Sequence, residues 1–163
     1  MYLKTPFKFI APRAWKDLIQ REKWLIGGTL KRVSYEEWHS AIKETFHTVK
    51  HSFRYVADPK GPWGLTHPED GSLTGRPVLR GDCDGFVLEV FRKLVDQDLP
   101  VEALRWVIGK TEQGGHMIGI VETDQLSLVI DFNQDSPVSL DELDYCQLRF
   151  ASNPSGQWFL ATT

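Results

Sequence analysis

The chain has 163 residues, 41% of them hydrophobic and 12% aromatic, which suffices to bury one sizeable core and predicts a single domain. Its 19 basic and 22 acidic residues leave a net charge of -3, and neither sign gathers into a phosphate-binding stripe, which argues against a nucleic-acid partner. No apolar run is long enough to span a bilayer and Met1-Tyr2-Leu3-Lys4-Thr5-Pro6-Phe7 lacks the order of a secretory signal, so the expectation is a cytoplasmic protein without membrane insertion, its Cys83 and Cys146 kept reduced.

Residues 1–32 carry a loose pattern with one short helix expected at 14–24. Ser34-Tyr35-Glu36-Glu37 has the spacing of a capping box, and Trp38, Ile42, Phe46, Val49 and Phe53 follow on one helical stripe that Asp58-Pro59 should end. The glycines and prolines of 60–80 predict a long ordered loop, with Trp63 and His67 as its chemically interesting members. A second helix is expected over 83–95, where Phe86, Val87, Val90, Phe91 and Leu94 make a wide apolar face. Segments 103–109, 115–122 and 126–132 read as successive strands, with a hairpin tip at Thr123-Asp124-Gln125. Ser139-Leu140-Asp141-Glu142 should start one helical turn, and 145–150 and 158–161 read as closing strands. Helices followed by an antiparallel sheet define an α+β fold, with a helix packed on one face of the sheet.

The chemistry is concentrated around Cys83, which follows Arg80-Gly81-Asp82 at the start of the second helix. A helix mouth offers unpaired amides and positive potential, which lower a thiol's pKa and supply donors for an oxyanion. Cys146, placed inside a strand, keeps the ordinary reading of a small buried residue. His116 enters an apolar strand, where an imidazole has no packing advantage and needs a polar partner. Asp131 offers one, because the hairpin returns the end of the next strand beside the beginning of the His116 strand. Nucleophile, base and orienting carboxylate can thus meet, while the competing reading is a buried histidine satisfied by an acid. His47 and His51 share a helix face, but no third metal ligand is evident, and a solvated face is the simpler account. Asp82 and Asp84 flank the cysteine and can complement the helix dipole. Trp63 can anchor its loop or wall an acyl-binding cleft.

The run Phe53-Arg54-Tyr55-Val56-Ala57-Asp58, the Trp63 loop, Arg80-Gly81-Asp82-Cys83-Asp84-Gly85-Phe86, and later Gly115-His116 and Ile130-Asp131 resembles the bacterial transglutaminase-like cysteine proteinases, over residues 35–133. The resemblance implies a papain/transglutaminase-like core, Cys83 as nucleophile, His116 as base and Asp131 as acid, acting on a protein or peptide substrate. Trp63, His67, Asp82 and Gly115 are the positions expected on the substrate side. No cofactor is required; calcium at Asp82 and Asp84 is the one metal the resemblance allows, and Gly85, where the family often has a second acid, weakens it. Family members that trim adhesins act outside the cytoplasmic membrane, so a cytosolic or phage-encoded relative is the expectation. A transglutaminase-type acyl transferase and a non-catalytic binding module gripping a partner through the 60–80 loop are the alternatives.

Overall fold

A computed structural model of the protein describes residues 2–57, 61–64, 66–69 and 78–162. The chain opens with an edge strand, β1 (Lys4–Phe9), that the loose pattern of the first residues did not reveal, followed by helix α1 (Arg13–Arg21) and a 3₁₀ turn at Lys23–Leu25. Trp15 and Leu18 are the buried face of α1, as expected for a short amphipathic helix. Helix α2 (Tyr35–His51) starts where the capping box places it: the Ser34 hydroxyl accepts a hydrogen bond from the Glu37 amide at 3.3 Å. It buries Ile42, Phe46 and Val49, but stops at His51, well before Asp58-Pro59. Phe53 therefore leaves the helical stripe and is buried instead in a short strand, β2 (Phe53–Tyr55).

The 60–80 segment is not simply a loop. Its described parts contain β3 (His67–Glu69) and β4 (Val78–Gly81), and residues 58–60, 65 and 70–77 lie outside the described residues. β4 is central in a small sheet ordered β2-β4-β3, parallel to β2 and antiparallel to β3. Strands of three and four residues are too short to establish an alternating pattern, which is why glycine and proline punctuation hid them.

Helix α3 (Cys83–Asp96) follows β4 directly, and Asp98, with φ of 70°, turns the chain after it. The second half is β5 (Leu104–Thr111), β6 (Gly114–Glu122), β7 (Ser127–Ile130), β8 (Val138–Ser139), a 3₁₀ turn at Leu140–Glu142, β9 (Gln147–Ser152) and β10 (Trp158–Thr162). With β1 these strands form one sheet ordered β1-β10-β9-β5-β6-β7-β8, every pair antiparallel. The fold is thus α+β, with three α-helices among the described residues and a large antiparallel sheet.

Both faces of the central strands are covered. One core joins Phe86, Val87 and Phe91 of α3 with Trp106, Met117, Val121 and Ile130; the other joins Val107, Ile118, Ile120 and Val129 with Leu3 and Leu140. Two-sided burial accounts for the near-continuous apolar runs of β6 and β7, where a half-exposed strand would alternate. Gly119 lets α3 lie close, since a Cβ there would stand 2.6 Å from both Phe91 Cζ and Val87 Cγ1. That contact fixes the helix over β6 and therefore fixes where its first turn opens.

Candidate active site

The site begins with how α3 starts. Asp82 is extended and serves as N-cap: its carboxylate accepts from the Gly85 amide at 3.4 Å, and its carbonyl from the Phe86 amide at 3.1 Å. Cys83 is consequently the first helical residue, a free and partly exposed thiol. The amides of Cys83 and Asp84 open the first turn and have no intrahelical acceptor, so they present positive potential to whatever approaches the sulfur.

Asp84 points inward and is buried. One oxygen accepts from the Gly64 amide and the other from the Gly85 amide, each at 3.1 Å. It thereby ties the Trp63 loop to the mouth of α3. Gly64 has φ of +70°, and a Cβ on it would meet Leu18 Cδ1 and Leu88 Cδ2 at 2.8 Å, so the loop reaches this position only with glycine. Trp63 is held further by its carbonyl, which accepts from Arg21 at 2.5 Å, and by its ring, tilted against Trp158 at 6.0 Å.

β6 delivers the imidazole. His116 is 8% exposed, and its Nε2 donates to Asp131 Oδ1 at 2.8 Å. Asp131 lies immediately after β7 and is fully buried; it also accepts from the Asn133 amide at 3.1 Å and from the Tyr145 hydroxyl. These bonds hold the carboxylate still, and the carboxylate fixes the ring, leaving Nδ1 as the nitrogen free for Cys83. Burial disfavours the imidazolium, but hydrogen bonds to Asp131 and Cys83, with the charges of both, outweigh it and raise the His116 pKa to about 10. The imidazole is thus held in its protonated form at neutral pH.

A cleft of about 310 Å³ opens at this point, lined by Trp63, Asp82, Cys83, Gly115, His116 and Met117 among others. Of the expected substrate-side residues, Trp63, Asp82 and Gly115 are on its wall. His67 lies on β3 by its backbone, and its side chain is outside the described residues. Cys146 is buried but precedes β9, not within it, and its sulfur fills the space over Gly109, the cross-strand partner of His116. Burial, then the charges of Asp131 and Cys83, push its thiol up to about 11. One group escaped the sequence reading: Tyr145, which binds Asp131. It looked like an ordinary apolar position at the start of a strand.

Asp82 and Asp84 do not by themselves fit a calcium ion, which takes about six to eight oxygens. Their carboxylates are engaged by the helix start and the Trp63 loop, and no group of three or more His, Cys, Asp or Glu suited to a metal occurs among the described residues. His47 and His51 likewise stand without a third ligand among the described residues. No helix among them is long and apolar enough to cross a membrane.

A fixed imidazole, a carboxylate behind it and a thiol at a helix mouth describe the apparatus of a papain-related cysteine enzyme. Residues 31–162 match the family described as bacterial transglutaminase-like cysteine proteinase, and the chain belongs to that family of cysteine peptidases. Among solved structures it is similar to LapG of Legionella pneumophila: the EGTA-treated form has a TM-score of 0.57 at 18% identity, covering 92% of this chain and 75% of that one. The calcium-bound form has a TM-score of 0.53 at 15% identity, covering 92% and 88%. At these identities the likeness is one of fold. No curated protein matches the chain.

Proposed function

We propose that the protein is a cysteine peptidase in which Cys83 is the nucleophile, His116 the general acid and base, and Asp131 the group that orients the imidazole. The observation that carries this reading is the 2.8 Å bond from His116 Nε2 to a buried Asp131, with His116 and a partly exposed Cys83 lining the same cleft. The Cys83 thiolate attacks a peptide carbonyl carbon, and the carbonyl electron pair moves onto oxygen, where the Cys83 and Asp84 amides donate to it. His116 passes its Nδ1 proton to the departing amine as the C–N bond breaks, leaving a thioester on Cys83. Neutral His116 then takes a proton from water, the resulting hydroxide adds to the thioester, and the C–S bond breaks to restore thiolate and imidazolium. Water thus replaces the proton that left with the amine, and the enzyme returns to its starting state.

The substrate in this reading is a protein or peptide that lies in the cleft between Trp63 on one side and Gly115 and Met117 on the other. Gly115 leaves a main-chain-wide space beside His116, since a Cβ there would meet nothing within 4 Å. A peptidyl vinyl sulfone tests the assignment. Labelling is expected on the Cys83 peptide, with loss in both Cys83→Ala and His116→Ala. Equal labelling of Cys83→Ala would remove Cys83 from the nucleophile's role.

A further inference from the structure

The cleft at Cys83 is lined on its sheet side by Met117 of β6 and Ile108 of β5. These two are direct cross-strand partners, and the pairing continues outward: Ile108 lies opposite Phe150 of β9, Phe150 opposite Leu160 of β10, and Leu160 opposite Phe7 of β1. Directly opposed residues of antiparallel strands project from the same face, so these side chains make one apolar row from the cleft to the edge of the sheet. Phe9, two residues beyond Phe7 and therefore on the same face, stacks on Phe150 with ring centroids 4.5 Å apart and widens the row. Exposure rises along it: Met117 is buried, Ile108 and Phe150 are half-buried, Leu160 is 37% exposed and Phe7 67% exposed. Single exposed apolar residues are ordinary on a protein surface, but a contiguous row that runs into a catalytic cleft marks a binding surface.

We propose that this row is an extended substrate-binding surface: the polypeptide cut at Cys83 continues out of the cleft across β5, β9, β10 and β1, and is selected for apolar side chains at alternate positions on one side of the scissile bond. The inference rests on Cys83 being the nucleophile of a peptidase. Neighbouring strands lie about 4.8 Å apart, so the path from Ile108 to Phe7 is about 14 Å, the reach of about four residues of extended chain at about 3.3 Å each. Alternate side chains of an extended segment point the same way, so every second residue of the substrate rests on the row. The occupant crosses the strands and is not a second copy of the chain paired along β1, because that edge is built against pairing. Pro6 has no amide to donate, Lys4 and Lys8 bring like charges, and the register with β10 is irregular between Lys4 and Phe7.

The test is protection of Cys83 in the full chain. Labelling by a dipeptidyl vinyl sulfone, too short to leave the cleft, is followed as mass gain on the Cys83 peptide in the presence of either of two competing peptides long enough to reach β1. One has leucine at alternate positions and the other has serine at each of them. The leucine peptide is expected to slow labelling at about tenfold lower concentration than the serine peptide, the scale of burying one such side chain. Phe7→Thr combined with Leu160→Thr strips the outer half of the row while keeping residues that suit a strand, and should shrink that advantage by about threefold or more, each protein being referred to its own rate without peptide. Thermal unfolding near the wild-type midpoint shows that the change is not a folding effect, and Phe7→Thr alone, at the most exposed position of the row, gives the same sign if the pair destabilises β1. Equal protection by the two peptides, or an advantage that the variants leave intact, overturns the extended surface while the labelling keeps Cys83 as nucleophile. Absence of labelling at Cys83 overturns both. A wild-type dimer that the same variant dissociates in sedimentation assigns the row to a second copy of the chain and likewise overturns the proposal.

Discussion

Strand β6 carries a buried ionisable group near each end, and the two ends differ in what they face. At Glu122 the surroundings are closed. Its carboxylate accepts from the Ser127 hydroxyl at 2.5 Å and stands 3.8 Å from Arg32, while buried Arg105, its charge partner, is fixed by the Ser152 carbonyl at 2.8 Å. Burial lowers the Arg105 pKa and the charge of Glu122 counters it, as in a pair whose work is structural. At His116 the same strand opens onto a cleft with a thiol in it. A buried charge therefore does not mark a reactive site by itself; accessible space and a nucleophile within reach of the charged group do.

Substitutions at and around the two ends of β6 test this contrast. The largest effect is expected from Cys83→Ala or His116→Ala, each lowering kcat/KM for a fluorogenic peptide by about 10⁴-fold with unfolding little changed. Glu122→Gln, at the closed end of β6, should leave kcat/KM of the folded enzyme intact; a comparable loss there would erase the distinction between the ends. Asp131→Asn keeps the shape but removes the charge behind the ring, and should cost about 10²-fold or more in kcat/KM. Its pH profile carries a sign. The His116 pKa is raised in the folded state, so the imidazolium and the stability it confers are fully present below about 6.5 and lost as pH rises through about 10. The alkaline limb of wild-type activity is expected near that upper value, and Asp131→Asn should move it down.

Smaller effects belong to stability. Glu122→Ala leaves Arg105 buried without its charge partner and should destabilise the fold by about 3 kcal/mol in urea unfolding. Gly119→Ala forces a methyl against Phe91 and Val87, and a cost of about 1 to 3 kcal/mol is expected in the same measurement.

The parts of the molecule that were legible in the sequence are those with enough length to establish a period. α2 and α3 announced themselves by caps and apolar stripes, and β5, β6 and β7 by long Val/Ile/Leu runs between turn residues. The meeting of His116 and Asp131 was legible because an imidazole entering an apolar strand needs a polar partner, and chain order alone brings the two together across a hairpin. The small sheet was not, because β2, β3 and β4 are shorter than the repeat that would reveal them. Phe53 illustrates the failure: it continues the spacing of α2, yet the helix has already ended and its burial comes from the strand. Asp84 was read as a charge on the helix dipole, whereas a tertiary bond to Gly64 decides its role. Tyr145 reaches Asp131 by a hydroxyl contact with a residue distant in sequence, which leaves no periodic trace.

The protonation state of His116 as a function of pH, followed through its ring nitrogens by NMR, bears most directly on the proposed ion pair. In the wild type the ring should stay protonated well above the ordinary histidine value of about 6.5 and titrate near 10, and Cys83→Ala should lower that titration. A ring that is already neutral at physiological pH in the wild type, or one that titrates identically in Cys83→Ala, would contradict a thiolate held by an imidazolium at the mouth of α3.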